Sequence, residues 1–340
     1  MNIFFDDTEV TKSLYPFTAV RNAADIRVGI FTIREKWNIL LTKMGKQDNS
    51  KSITVNAAVI PTKKYVQAFL NDTVQDLADE ATGIKMLKHP WDIFHLNDWA
   101  IREDFALITE GRVSAKISAS NKITVPENIF IEEGARMEHC IINAATGPVY
   151  IGKNAEVMEG CIIRGPFALC EGAVLKMGAK VYGASTIGPY SIGGGEIKNS
   201  VLFAYSNKAH DGYLGDSVLG EWCNLGAGTS NSNIKNTAAT VRVWHNQTKS
   251  FLPAGLKCGL LMGDYSRAAI NTSFNTGTVV GICCNIFAEG FPPKLVNDFT
   301  WGKERYTFEK VLEDISNWKK LKNKTLTQKE RDILKTLYNQ

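Results

Sequence analysis

No glycine precedes Gly29, so the chain does not open on a glycine-rich loop able to cradle phosphates with backbone N–H groups. Long apolar runs are missing too: no segment reaches the ~18 uninterrupted apolar residues of a membrane helix. The opening Met1-Asn2-Ile3-Phe4-Phe5-Asp6-Asp7 lacks a basic n-region and is too short in apolar residues for a signal peptide, so the expected location is the cytoplasm. Seven cysteines occur without one C-x-x-C pair, which removes the usual sequence sign of a zinc or dithiol site and leaves reduced thiols as the reading. A strong charge of one sign is absent as well. A net charge of +4, with 22% charged residues, supplies no basic face for nucleic acid and points to no membrane partner.

What the chain does have is a period of six. Aliphatic residues return at Ile151, Val157, Ile163, Leu169, Leu175, Val181 and Ile187, each followed four residues later by Ala155, Cys161, Phe167, Ala173, Ala179, Ser185 or Ser191. Neither the helical period nor the alternation of a simple strand matches this. A chain that turns a corner every six residues does: three short strands make one coil, and each inward residue stacks on its equivalent in the next. The pattern predicts a parallel β-helix.

The register returns at Tyr213, Leu219 and Leu225, and again at Met262, Ala268, Phe274, Val280 and Ile286. Residues 193–212 and 231–255 read as polar excursions from the coils, and inserted loops of repeat proteins tend to carry function. From Ile129 to Gly290, about eighteen residues per coil gives about nine coils and a prism ~40 Å long. Residues 1–110 read as a small α/β domain, with strands at 3–5 and 53–60 and helices at 27–41 and 64–77. Trp91, Phe94 and Trp99 read as docking residues between domains. The solenoid occupies 111–292, starting near Ile129 or one coil earlier. Residues 293–340 carry two helices that cap or brace it, the second announced by the capping box Thr327-x-x-Glu330.

Three motifs carry a resemblance. Glu196-Ile197-Lys198-Asn199-Ser200, then Ser206 through Ser217 with His210 and Tyr213-Leu214-Gly215-Asp216, then Asn224-Leu225-Gly226-Ala227-Gly228-Thr229 are similar to the acetyltransferase domain of the bifunctional N-acetylglucosamine-1-phosphate uridylyltransferase/glucosamine-1-phosphate acetyltransferase family. The stretch Leu14-Tyr15-Pro16-Phe17-Thr18-Ala19-Val20-Arg21-Asn22-Ala23-Ala24-Asp25-Ile26-Arg27-Val28-Gly29 resembles the start of a divergent, largely bacteroidete-type group of sugar-nucleotidyltransferase-like proteins with the same solenoid. The resemblance implies a mainly β fold built on a left-handed parallel β-helix, a homotrimer, and active sites in grooves between neighbouring subunits. It also implies acetyl-CoA as co-substrate and an amino-sugar phosphate or nucleotide sugar as acceptor.

Acetyl transfer to an amine needs a base, and a histidine, with an unperturbed pKa near 6.5, suits that role. His210 falls where the family carries its catalytic histidine. The resemblance assigns Lys198 and Tyr213 to the sugar phosphate, with Lys180 where an arginine is usual, a change that keeps the charge and loses the bidentate fork. It assigns Asn224 and Asn233 to the amino sugar, although asparagine also serves turn geometry. Ala227 and Ala288 match positions where small residues let coenzyme A lie against the backbone, and Ile270 replaces a serine near the thioester.

The N-terminal domain departs further. Related enzymes open with a G-x-G-T-R loop and a later Pro-Lys, whereas here Asn22-Ala23 stands in that place and Asn56 sits where a metal-binding aspartate is expected. Mg2+ is expected only if this domain is active, with Asp6, Asp7 and Asp25 as possible substitutes for its carboxylates. The domain reads as a degenerate remnant bracing the solenoid. Three readings compete: an acyltransferase of the sugar-nucleotide pathway, a Mg-dependent sugar-1-phosphate nucleotidyltransferase, and a non-catalytic nucleotide-sugar-binding scaffold.

Overall fold

The computed structural model describes residues 2–46, 52–74, 84–287 and 289–340. Its centre is a three-walled parallel β-helix. Up to Gly215 each coil places one short strand in a nine-stranded wall, one in a ten-stranded wall and one in a six-stranded wall before returning to the first; beyond it the third face carries only the two-stranded ladder of Ser230–Asn231 and Ser273–Phe274. Pairing between coils is parallel and in register, as in Phe167 with Val149 and Ser185, or Ile163 with Ile142 and Val181, and among the described residues only the terminal Glu304–Arg305 of the ten-stranded wall runs antiparallel. The six-residue period maps onto the interior: Ile151, Val157, Ile163, Leu169, Leu175, Val181 and Ile187 are all buried in one core with Met262, Phe274, Val280 and Ile286. The fold is mainly β, with a small N-terminal α/β part and C-terminal helices, as the sequence implies. All seven cysteines are free and buried, several of them in the small inward positions of the coils.

The structure corrects two expectations about the coils. Residues 193–212 are no excursion: the strands Glu196–Lys198, Val201–Leu202 and Asn207–Lys208 continue the three walls. Ile192 pairs with Asn207 and Glu196 with Tyr213, so these coils are shorter than three hexapeptides and the period fails while the coil persists. Tyr213 is likewise not the inward residue of its strand. Leu214 is, being 1% exposed, and alternation turns Tyr213 outward. The first coil strand is Lys122–Thr124, ahead of Ile129. The second excursion is present and holds an antiparallel hairpin, Arg242–His245 with Ser250–Pro253.

The N-terminal part covers the nine-stranded wall. Strand β1 (Asn2–Asp6) runs parallel to β4 (Ser52–Asn56), and a two-residue ladder joins β2 (Arg27–Val28) to β3 (Phe31–Thr32). Helix α1 (Ile33–Lys43) starts later than the sequence suggests, because Thr32 and Glu35 form a capping box that fixes its first turn. Helix α2 spans Lys63–Leu70 and ends earlier than the sequence suggests, with Asn71 as its C-cap, while residues 75–77 of the expected helix lie outside the described residues. Trp91 and Phe94, the latter in α3 (Asp92–His95), are buried in a core that also holds Val201, Phe203, Val218 and Leu261 from the wall. Trp99, in α4 (Asn97–Thr109), packs against that core.

Helices α5 (Phe308–Lys320) and α6 (Gln328–Tyr338) brace the C-terminal half of the ten-stranded wall, and Thr327 and Glu330 make the expected capping box. Trp222, Tyr265 and Phe299 of the solenoid pack with Val311, Ile315 and Leu334 of these helices. The six-stranded wall carries neither covering, and Ile141 and Ile162 stand 46% and 48% exposed on it. Among the described residues no helix is long and apolar enough to cross a membrane.

Candidate functional site

The uncovered wall brings together three of the sequence-predicted residues, Lys180, Lys198 and Tyr213. Its strands Lys180–Tyr182, Glu196–Lys198 and Tyr213–Gly215 are neighbours, and register sets Lys180, Glu196 and Tyr213 in one outward row and Tyr182, Lys198 and Gly215 in the next. Their inward partners Val181, Ile197 and Leu214 are core residues, so the outward rows are rigidly based. Lys198 places its ammonium over the Tyr182 ring, 5.7 Å from the centroid. The Tyr182 hydroxyl donates to Glu196 Oε1 at 2.5 Å. That bond to a carboxylate, with burial second, pushes the phenol up to about 12 and keeps it a donor at neutral pH.

Tyr213 lies folded over Gly215, where a side chain would strike its ring and hydroxyl. Asn233 Nδ2 donates to that hydroxyl at 3.0 Å and also to Asp216, which accepts a further bond from Asn199 Nδ2 at 2.7 Å. Burial, and then the nearby Asp216 charge, raise the Tyr213 pKa. Asn233 itself is buried, so its amide is spent on orienting Tyr213.

His210 sits at the corner where the chain leaves the ten-stranded wall for the six-stranded one, in the coil that continues into Tyr213. It is exposed, and among the described residues its imidazole makes no hydrogen bond or ion pair. The corner beneath it is packed backbone to backbone: a Cβ on Gly195 would lie 2.7 Å from the His210 carbonyl oxygen. Successive coils stack at this corner. Gly228 N–H donates to the Asp211 carbonyl at 3.0 Å, and Asn271 N–H to the Ala227 carbonyl at 2.7 Å. His210, Ala227 and Ile270 therefore stand in file in three consecutive coils, with Ala227 exposed and Ile270 68% exposed.

One predicted residue falls elsewhere. Asn224 belongs to the ten-stranded wall, paired with Asn207 and Arg267, and accepts from Asn207 Nδ2 at 3.4 Å. Within one chain it does not join Lys180, Lys198 and Tyr213. Ala288 lies outside the described residues. Sequence reasoning did not single out Tyr182 and Glu196 as site residues; the signal that finds them is their place beside Lys180 and Lys198 once coil register is known.

The N-terminal carboxylates are engaged by the protein. Asp6 accepts from Thr8, Asp7 from the Ala23 N–H at 3.0 Å, and Asp25 from Arg34 Nε at 2.6 Å. Among the described residues no group of three or more His, Cys, Asp or Glu could hold a metal ion. A separate cavity of about 520 Å³ opens between the N-terminal part, the solenoid and α6, where Arg21 is bound by Asp264 and Glu221. It contains none of the residues predicted for acetyl transfer, but Asp25, one of the carboxylates considered for Mg2+, lines it.

Comparison with known proteins follows this division. A family model described as sugar nucleotidyl transferase matches residues 2–78 and 67–113. The bifunctional protein GlmU of Methanocaldococcus jannaschii is 25% identical over 332 residues, spanning 91% of this chain and 75% of that one. The bifunctional sugar-1-phosphate nucleotidylyltransferase/acetyltransferase of Sulfurisphaera tokodaii is 29% identical over 208 residues, spanning 61% of this chain and 45% of its own. The chain is similar to the GlmU proteins. It spans three quarters of the M. jannaschii GlmU and less than half of several others, such as 40% of that of Methanococcus maripaludis at 29% identity. Among solved structures, an Arabidopsis UDP-N-acetylglucosamine acyltransferase matches at 15% identity over 66% of this chain and 90% of its own, with a TM-score of 0.23.

Proposed function

We propose that the chain transfers an acetyl group from acetyl-CoA to the amine of an amino-sugar 1-phosphate or a nucleotide amino sugar. One observation carries the reading: the exposed imidazole of His210 heads a file of small and apolar corner residues and adjoins the wall bearing Lys180, Lys198 and Tyr213. The amine nitrogen attacks the thioester carbonyl and the new C–N bond forms. His210 accepts the proton that the nitrogen sheds and returns it to the departing thiolate as the C–S bond breaks. Lys180 and Lys198 pair with the phosphate of the acceptor, which a desolvated dianion requires. Tyr213, aimed by Asn233, donates to the same group, and Ala227 leaves room for coenzyme A along the corner. Asn224 reaches an acceptor only across a subunit boundary, and the uncovered wall with Ile141 and Ile162 supports the homotrimer that such a shared groove needs. The N-terminal part acts as a brace.

The test is thiol release from acetyl-CoA with a panel of amino-sugar 1-phosphates and nucleotide amino sugars. Turnover abolished in His210→Ala but with binding retained is the expected result. No release with any acceptor, alongside tight nucleotide-sugar binding, sinks the reading in favour of a scaffold. The second reading, Mg-dependent nucleotidyl transfer, draws on the sugar nucleotidyl transferase match of residues 2–113. It predicts pyrophosphate release from a nucleoside triphosphate and a sugar 1-phosphate that is lost in Asp25→Ala.

A further inference from the structure

Lys208 occupies an interior position of the solenoid. It is the register partner of Gly193, in the file of the ten-stranded wall that otherwise presents Val157, Leu175, Leu225 and Ile286 to the core. Gly193 faces inward, since a Cβ there would come within 3.1 Å of Ile187 and Leu175 and 3.2 Å of Ile197. The missing side chain leaves the volume into which the Lys208 stem passes, and Lys208 is 1% exposed. Its ammonium donates to the main-chain carbonyl of Gly194, at 3.2 Å, and to that of His210. Among the described residues no carboxylate lies within ion-pair distance of it.

An unpaired charge inside an apolar prism is costly, and an aliphatic residue would satisfy the packing as well. The two acceptors account for the lysine. Both lie on the corner that carries the candidate base, one coil apart. That corner rests on Gly193-Gly194-Gly195, where a Cβ on Gly194 would lie 2.4 Å from the Ala209 carbonyl oxygen. Three glycines permit close approach but leave the backbone with many conformations to lose. The ammonium ties the coil of His210 to the glycine coil from inside. Burial, with no carboxylate to offset it beyond a weak pull from Asp211, lowers the Lys208 pKa to about 8.

We propose that Lys208 is a positioning residue for acetyl transfer, holding the main chain of His210 at its corner from within the solenoid. This rests on the reading of His210 as the base. The experiment compares wild type with Lys208→Met, which keeps the stem and removes the donor, and Lys208→Gln, which retains a donor. Backbone amide exchange at residues 209–212, melting temperature, and kcat and KM for thiol release are measured on each.

In Lys208→Met, exchange at the corner should quicken by about tenfold or more while the melting temperature holds or rises, because an apolar residue replaces a buried charge. The kcat should fall by about tenfold, the worth of one hydrogen bond from a charged donor, with KM for either substrate moving by less than about twofold. Lys208→Gln should recover part of both losses. Unchanged exchange in Lys208→Met, or faster exchange with unchanged kcat, overturns the proposal. Should Lys208→Met fail to fold, Lys208→Gln decides: faster corner exchange together with a partial loss of kcat supports it, and any other pairing, both at wild-type levels included, overturns it. A wild type without turnover refutes the function of His210, while the exchange data still decide whether the tie exists.

Discussion

Asn97 and Thr186 meet where the N-terminal part lies on the nine-stranded wall, and each also holds Gly29. Asn97 Nδ2 donates to Thr186 Oγ1 at 3.2 Å and to the Ala184 carbonyl at 2.9 Å, and its Oδ1 accepts the Gly29 N–H at 2.7 Å. The Thr186 hydroxyl donates back to the Gly29 carbonyl at 3.0 Å. All of this is buried, so each group stripped of a partner incurs its full desolvation cost. Asn97→Leu is expected to lower unfolding free energy by about 1–3 kcal/mol for each orphaned group. Denaturant unfolding followed by tryptophan fluorescence measures it. A loss under about 0.5 kcal/mol, the ordinary range of a surface substitution, would mean that this interface does not hold the two parts together.

Close by, Lys36 of α1 and Asp104 of α4 form an ion pair in which the two side chains are 2% and 3% exposed. Asp104 also accepts the Ile30 N–H at 2.7 Å. Burial pushes the Asp104 carboxyl up and the Lys36 ammonium down, while the mutual attraction opposes both shifts. Removing one partner strands a buried charge, so Asp104→Ala should cost about 3–5 kcal/mol. The double variant Lys36→Met, Asp104→Leu should cost clearly less than the single. Calorimetry of the three proteins checks the order, and equal losses in single and double variants would contradict it.

What could be read from the sequence follows from how each feature is encoded. The period of six is visible because every coil must bury one aliphatic side chain per wall, and Ile151 to Ile187 do so without a break. The period fails at residues 193–212, where shortened coils bring Ile192 opposite Asn207, and a polar composition then passes for a loop. Lys208 shows why: its charge looks solvated in one dimension and is enclosed in three. His210 and Tyr213 are candidates that a motif in the sequence already marks. Tyr182 and Glu196 are not, because neighbours across coils are set by coil length, and that length is what the sequence hides.

A pH dependence arises at the hairpin of residues 242–253. His245 is 4% exposed, and its ring lies 5.2 Å from that of His89, which stacks on Trp91 at 4.6 Å. His245 Nε2 and His89 Nδ1 are buried without a hydrogen-bond partner. Burial first, and the His89 charge second, lower the His245 pKa below 6.5. The folded state therefore holds fewer protons than the unfolded chain below about pH 6.5, so stability is fully present above that value and is lost as pH falls through the folded pKa. The melting temperature should drop between pH 7.5 and 5.5, and His245→Phe should shrink that drop. An identical drop in both proteins would place the acid sensitivity elsewhere.

On the proposed reading, substitution of Asn233 distinguishes orientation of the acceptor from chemistry. Its buried amide spans the Tyr213 hydroxyl and the Asp216 carboxylate, and it lies in the segment between the strands Ser230–Asn231 and Arg242–His245. Asn233→Ala frees the Tyr213 hydroxyl and leaves Asp216 with Asn199 as its remaining side-chain donor. If Tyr213 binds the acceptor phosphate, loss of one aimed hydrogen bond should raise KM for the acceptor about fivefold to tenfold, with kcat and KM for acetyl-CoA little changed. Tyr213→Phe should give a rise of the same size, and the double variant should add almost nothing, because both changes remove one and the same contact. Steady-state kinetics on the four proteins measure this. Additive effects in the double variant would mean that Asn233 touches the acceptor itself instead of aiming Tyr213 at it.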